Sequence, residues 1–259
     1  MLVIRDLSHW REQRASFSGS VGFVPTMGAL HAGHCALLQA SVTENDWTVL
    51  SIYVNPTQFN NDQDLDSYPQ SLDEDLTLAE QAGVDVVLLP AYADLYPDDY
   101  RYRVEENEFS RELCGAHRPG HFTGVLTVVM KLLNLVQASR AYFGEKDYQQ
   151  YLLVREMTAA FFIDTEIIAC QTVRESDGLA MSSRNRRLGE CARAQVALFS
   201  QALRSCADDA AVVERLNQAG FKVDYVVTSH QRRFGAIEVS SGEHSVRLID
   251  NVPMSEVVR

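Results

Sequence analysis

The sequence predicts an α/β fold, a doubly wound parallel sheet with a second, smaller α+β domain at its C-terminal end. Three observations carry this. Short β-rich runs alternate with helical patterns over the first two thirds of the chain. The clearest of these runs is apolar throughout rather than alternating, which marks a strand covered on both faces. After residue 173 the pattern gives way to a polar, basic stretch rich in Gly and Ser, RESDGLAMSSRNRRLG (174–189).

Taken in order, residues 21–24 read as a strand, followed by a Pro/Gly turn and a helical segment from about residue 33. TVLSIYV (48–54) is the continuous apolar run of a buried parallel strand. Ser71 and Glu74 make a capping-box pattern ahead of a helix reaching Ala82, and Gly83 stands where a C-cap glycine belongs. A strand at 84–89 follows. Residues 124–139 have the spacing of a buried helix, 140–143 of a short strand, 147–160 of a helix and 166–173 of a strand. Helical patterns return at 190–206 and 210–219, then strand-like pieces at 223–227 and 236–239. The boundary is expected near Glu175. Residues 1–175 form a Rossmann-like domain whose ligand should lie at the carboxyl ends of the strands, and 176–259 form the small α+β domain.

Composition narrows the function. With 23 Lys and Arg against 35 Asp and Glu, the formal charge is −12. Such a field repels phosphodiester backbones, so no broad nucleic-acid surface is expected. A local Arg/Lys cluster can still hold a small anion. The five cysteines are scattered, odd in number and without a C-x-x-C pair, which fits a reduced cytoplasm better than a disulfide framework or a zinc ribbon. The start, MLVIRDLSHWREQ, lacks a signal-peptide core. No apolar run reaches the roughly 18 residues of a membrane span, so the expectation is a soluble intracellular protein.

Four stretches carry chemistry. VPTMGALHAGH (24–34) follows a strand and opens a helix, where backbone N–H groups and the positive helix end favour phosphate. His31 and His34 are three apart and share a helix face, so both imidazoles can donate to phosphoryl oxygens. Surface decoration or a metal site is the alternative, the latter with His117 and His121 of HRPGH as further ligands, although the usual H-E-x-x-H or cysteine partners are absent. FGEKDYQQ (143–150) is again strand, glycine turn and helix. Lys146 is placed to reach a phosphate and Asp147 to serve ribose, magnesium or a helix cap; alone, the motif is weak and reads better as a solvated loop lysine, and it gains weight only in company. MSSR (181–184), reinforced by Arg186 and Arg187, is a cationic patch on the presumed linker, either a solvated face or a loop that closes over substrate. In YVNPTQF (53–59), Asn55 and Gln58 would project into the crevice and suit the oxygens of a small acid; a plain Asn-Pro turn is the other reading.

Together these stretches resemble the pantothenate synthetase family, as do SYPQSLDEDL (67–76), RPGHFTGVLTVV (118–129), DGLAMSSRN (177–185) and RLIDN (247–251). The resemblance runs from Leu2 to about Tyr225 and resumes at 247–251. It also implies kinship with HIGH-type adenylyl-transfer enzymes, with Ala32 in place of the signature isoleucine. It implies an ATP-dependent acid–amine ligase that joins pantoate to β-alanine through a pantoyl-adenylate and releases AMP and pyrophosphate. ATP would contact Met27, Gly28, Ala29, Leu30, His31, Ala32, Gly33 and His34, then Gly144, Glu145, Lys146 and Asp147, then Val173, Met181, Ser182, Ser183 and Arg184. Gln58 would touch pantoate and β-alanine, Gln150 pantoate, and His34 would be the acid catalyst, with His31, Lys146, Ser182, Ser183 and Arg184 completing the catalytic set. ATP is used with Mg2+, no cofactor is tightly bound, and the family works as a cytoplasmic homodimer with a C-terminal lid. Rival readings are a nucleotidylyltransferase acting on a phosphate acceptor and a non-catalytic nucleotide-binding module. One departure stands out: only SHQRRFG (229–235) precedes the closing strands, where the family generally has a longer excursion, so a trimmed C-terminal domain is expected.

Overall fold

The computed structural model describes residues 1–242 and 244–257. The chain divides into two compact units, Met1–Glu145 with Gln149–Gln171, and Lys146–Tyr148 with Thr172–Arg259.

In the first unit the strands are β1 (Leu2–Ile4), β2 (Val21–Thr26), β3 (Trp47–Ile52), β4 (Val86–Leu88), β5 (Arg140–Gly144) and β6 (Glu166–Cys170). They form one six-stranded sheet in the order β1-β4-β3-β2-β5-β6, and every pairing is parallel. The helices are α1 (Leu7–Ser16), α2 (Ala32–Glu44), α3 (Asp62–Asp66), α4 (Leu72–Ala82), α5 (Tyr92–Leu95), α6 (Leu113–His117), α7 (His121–Val136) and α8 (Tyr148–Ala160). Both sheet faces are covered, which is why the central strands β2, β3 and β4 are buried over most of their length. Phe23, Val49 and Val86 pack with Trp10 of α1 and with Leu126, Val129 and Leu133 of α7. Their neighbours Val24, Leu50 and Val87 face the other way, onto Leu38 of α2 and Ala79 of α4.

The order of the strands reverses at β2, with β3 and β4 on one side and β5 on the other. Ligands of open α/β sheets bind outside the carboxyl ends at such a switch point. Here the sequence itself opens the crevice. Val21 accepts from Ser139 N at 2.8 Å beside β5, and Thr26 accepts from Tyr53 N at 3.0 Å beside β3. Odd residues of β2 therefore address β5, and after Phe23 the next donor should be residue 25. That residue is Pro25, which has no N–H. Pairing with β5 is confined to Gly22 and Phe23, while pairing with β3 continues to Thr26.

Some local expectations are refined. Gly83 caps α4 in the left-handed region at φ +86°, as its sequence position implies. Ser71 is the N-cap residue but makes no side-chain cap; its hydroxyl lies 3.3 Å from Asp75 Oδ1 instead. The capping box is thus replaced by a contact to the carboxylate one turn on. β1 and α1, which periodicity does not reveal, depend on tertiary contacts: Trp10 Nε1 donates to Leu135 O at 2.9 Å, and Arg14 covers the last carbonyls of α7 at Val136 and Gln137.

The second unit holds α9 (Glu190–Ser205), α10 (Asp209–Gln218) and an antiparallel sheet of β7 (Lys222–Ser229), β8 (Arg232–Ser241) and β9 (His244–Pro253), in that order. Its core is its own, built from Val196, Phe199, Leu203, Leu216, Ile237 and Leu248 among others. No helix among the described residues is long and apolar enough to cross a membrane.

Candidate active site

β2 ends at Thr26, and a five-residue turn, 27–31, leads into α2. Thr26 Oγ1 donates to Ser51 O at 2.8 Å and accepts Gly28 N at 3.2 Å. Gly28 and Ala29 both take positive φ, +80° and +51°. For alanine this costs roughly 1–2 kcal/mol, so something must hold it. That something is Asp75, buried in the first turns of α4. Its Oδ2 accepts Ala29 N at 2.8 Å and its Oδ1 accepts Leu30 N at 2.7 Å.

The head of α2 is capped by imidazoles. His31 is the N-cap and its Nδ1 accepts Gly33 N at 3.1 Å. His34 Nδ1 in turn accepts His31 N at 3.3 Å, and the two rings lie 4.1 Å apart. A ring nitrogen that accepts an N–H carries no proton, so each neutral ring has its proton on Nε2. Both imidazoles are therefore oriented as Nε2–H donors at a helix N-terminus, the arrangement suited to phosphoryl oxygen.

Gln58 is brought against the same turn, its Nε2 lying 3.2 Å from Met27 Sδ. Its amide oxygen accepts Asn55 Nδ2 at 3.1 Å. Asn55 is almost fully buried and is held by Tyr96 OH at 2.9 Å and Thr57 Oγ1 at 3.0 Å. Burial pushes the Tyr96 phenol up to about 12, so it remains a donor. The Gln58 carbonyl is tied by His121 Nδ1 at 2.8 Å and Arg118 at 3.2 Å. α7 reaches this turn because residue 124 is glycine: a Cβ there would meet Thr57 O at 2.4 Å. Gln150 lies on α8, while its neighbour Gln149 is structural, tying Cys114, Phe109 and Glu112 together. Gly144 closes β5 and Glu145 opens the 3-10 turn that follows. His121 spends both ring nitrogens on protein partners, Nδ1 on the Gln58 carbonyl and Nε2 3.0 Å from Arg118, which argues against the four-histidine metal reading. Among the described residues no group of three or more His, Cys, Asp or Glu is placed to hold a metal.

The remaining expected residues belong to the second unit. Lys146 is largely covered and lies 3.6 Å from Asp147. Its carbonyl accepts Asn251 Nδ2 at 2.9 Å, and Asn251 Oδ1 accepts Arg232 Nε. Arg174 grips Asp250 through two nitrogens at 2.7 and 3.0 Å. Val173 O accepts Met181 N at 3.0 Å. Ser182 caps the 3-10 turn Ser183–Arg187 by accepting Arg184 N at 3.3 Å, and Ser183 is buried. Asp75, Tyr96, Arg118, Arg232 and Asn251 are not among the expected functional residues, and His121 is expected only as an alternative metal ligand. Arg118, His121 and Asn251 lie within motifs already noted, and Asp75 within SYPQSLDEDL, where it reads as helix decoration.

A family model for pantoate-beta-alanine ligase matches residues 2–253 of this chain. The chain belongs to the pantoate-beta-alanine ligase family. Relatives named pantothenate synthetase include that of Bdellovibrio bacteriovorus, 52% identical over 96% of this chain and 98% of that protein. Another, from Legionella pneumophila, is 48% identical over 97% and 99%. Among solved structures, the Francisella tularensis pantoate-beta-alanine ligase complexed with beta-gamma ATP and beta-alanine is 39% identical, with a TM-score of 0.92 and 98% of each chain covered. Pantothenate synthetase of Thermus thermophilus follows the same fold at 37% identity and a TM-score of 0.88, over 98% of this chain and 99% of that one. The expected fold class is the one these ligases share. The Bdellovibrio and Legionella proteins are covered almost end to end, so this chain is of similar extent to both.

Proposed function

We propose that this chain condenses pantoate with β-alanine at the expense of ATP, through a pantoyl-adenylate, releasing AMP and pyrophosphate. The observation that carries this is the family match over nearly the whole chain, joined to an imidazole-capped helix at the sheet's switch point.

In the first step a pantoate carboxylate oxygen attacks the α-phosphorus of ATP and pyrophosphate leaves. ATP enters as its magnesium complex. His31 and His34 donate Nε2–H to phosphoryl oxygens as charge builds there, with His34 as the acid. Ala29 and Leu30 shape the ATP-binding turn rather than touch phosphate, because their N–H groups are engaged by Asp75. Lys146, Ser182, Ser183 and Arg184 add charge and hydroxyl donors from the second unit. Met27, Gly28, Ala32, Gly33, Gly144, Glu145, Asp147, Val173 and Met181 complete the nucleotide contacts. Catalysis of this kind is positioning and charge stabilisation.

In the second step the neutral amine of β-alanine attacks the acyl carbon, the amide bond forms, and AMP leaves. Gln58 would hold pantoate and then β-alanine, with its amide turned by Asn55; Gln150 would hold pantoate. The adenylate needs shelter from water, and residues 176–259 are assigned the role of lid over a nucleotide- and pantoate-binding domain at 1–175. A homodimer in the cytoplasm is the setting we assign. The test is incubation with ATP, magnesium, pantoate and β-alanine. Equimolar AMP, pyrophosphate and pantothenate are expected; transfer of the nucleotide to a phosphate acceptor, or no turnover, overturns the reading.

A further inference from the structure

Asp75 is an acidic side chain only 1% exposed, and its oxygens are engaged by backbone N–H groups and one hydroxyl rather than by a basic side chain among the described residues. They meet two successive N–H groups, Ala29 at 2.8 Å and Leu30 at 2.7 Å, and the hydroxyl of Ser71 at 3.3 Å. Gly28 belongs to the same arrangement, since a Cβ there would come within 2.9 Å of Asp75 Oδ2. The two residues with positive φ, the two N–H bonds and the missing Cβ all converge on one carboxylate. The chain leaves this turn directly into His31 and the imidazole cap.

We propose that Asp75 is a positioning residue for adenylation: its carboxylate holds the 28–30 turn in the conformation that presents His31 and His34 as paired Nε2–H donors. A carboxylate suits this role because both of its oxygens accept. An asparagine of the same shape offers one acceptor and one NH2, and the NH2 would confront a backbone N–H. The turn must then rotate, and the N-cap residue next to it moves with it. Displacement of catalytic groups by about 1 Å is enough to cost about 10²-fold in rate.

The inference rests on the adenylating function proposed above, and its test separates the two. Pantoate-dependent ATP–pyrophosphate exchange is measured for wild type, Asp75→Asn and Ala79→Gly. The last variant weakens the same helix, α4, at a buried position without touching the turn. Asp75→Asn should lose about 10²-fold in exchange rate, and Ala79→Gly should stay within about threefold once both are compared at temperatures equally far below their melting points. In parallel, 15N-histidine spectra report the tautomers of His31 and His34. Wild type should show both as Nε2–H, and Asp75→Asn should lose that signature for at least one ring. If Asp75→Asn does not fold, amide exchange in the wild-type protein decides: Ala29 and Leu30 N–H should be protected like those of β2. Normal exchange activity with unchanged histidine signals in Asp75→Asn, or unprotected Ala29 and Leu30 amides, overturns the proposal. Wild-type protein without exchange activity but with the expected tautomers and protection would fault the proposed function and leave the positioning geometry standing.

Discussion

At the head of α2 each histidine commits its Nδ1 to a backbone N–H, so the proton of the neutral ring lies on Nε2. Removing His34 takes away the donor proposed for phosphate and also frees the His31 N–H. We expect His34→Ala, and separately Lys146→Ala, to lower the adenylation rate by about 10² or more, with far-UV circular dichroism unchanged. Single-turnover rates within tenfold of wild type would contradict both assignments. Gln58→Ala should raise the pantoate requirement far more than the ATP requirement. Tyr96→Phe removes only the hydroxyl that donates to Asn55, so it should act through Gln58. It should cost about 1 kcal/mol of stability and raise the pantoate KM several-fold, with the ATP KM unchanged; an effect confined to ATP would show that this amide chain does not serve the acid. At this scale the chemistry-bearing side chains were readable because their types and spacing announce a phosphate or a small acid. Their supports were not. Asp75, Tyr96 and Arg118 reach residues 45, 41 and 60 positions away, and no local pattern marks such a partner.

Elements were readable where periodicity is strong and obscure where tertiary contact makes them. The continuous apolar strands and the long helices at 121–136 and 190–205 follow from hydrophobic period alone. The edge strand β1 has three residues, two of them exposed, and the short helices α3, α5 and α6 are too brief to show a period. Two element-level tests follow from close approach and charge. Gly124→Ala places a Cβ against the backbone carbonyl of Thr57, which cannot swing aside as a side chain could, so α7 must move off the 56–58 turn. That should destabilise by about 1–3 kcal/mol, read as a lower melting temperature, and weaken pantoate use. In the second unit, Arg193 binds both Glu175 and Asp177 at the base of the 174–181 loop. The hydrogen bond from Arg193 is the main reason the Asp177 carboxyl lies below its usual range. A folded-state value below the unfolded one, about 3.9, gives stabilisation that is complete above that pH and lost as pH falls through the folded value. The difference in melting temperature between wild type and Arg193→Ala should thus narrow below about pH 4. A constant difference across that range would show that this ion pair carries no pH-linked stability.

For the molecule as a whole, the division of labour matters more than the number of contacts. Each unit has its own core, and the residues assigned to ATP are distributed over both. The paired imidazoles, Gln58 and Asn55 belong to one, and Lys146 and the 181–184 loop to the other. Full turnover should therefore require the intact chain, and the step that defines the account is the formation of a pantoyl-adenylate before any amine is used. The most direct measurement is exchange of labelled pyrophosphate into ATP with the amine left out. Label should enter ATP when pantoate and magnesium are present and β-alanine is absent, and none should enter when pantoate is omitted. Exchange that needs β-alanine, or formation of ADP and phosphate in place of AMP and pyrophosphate, would contradict it.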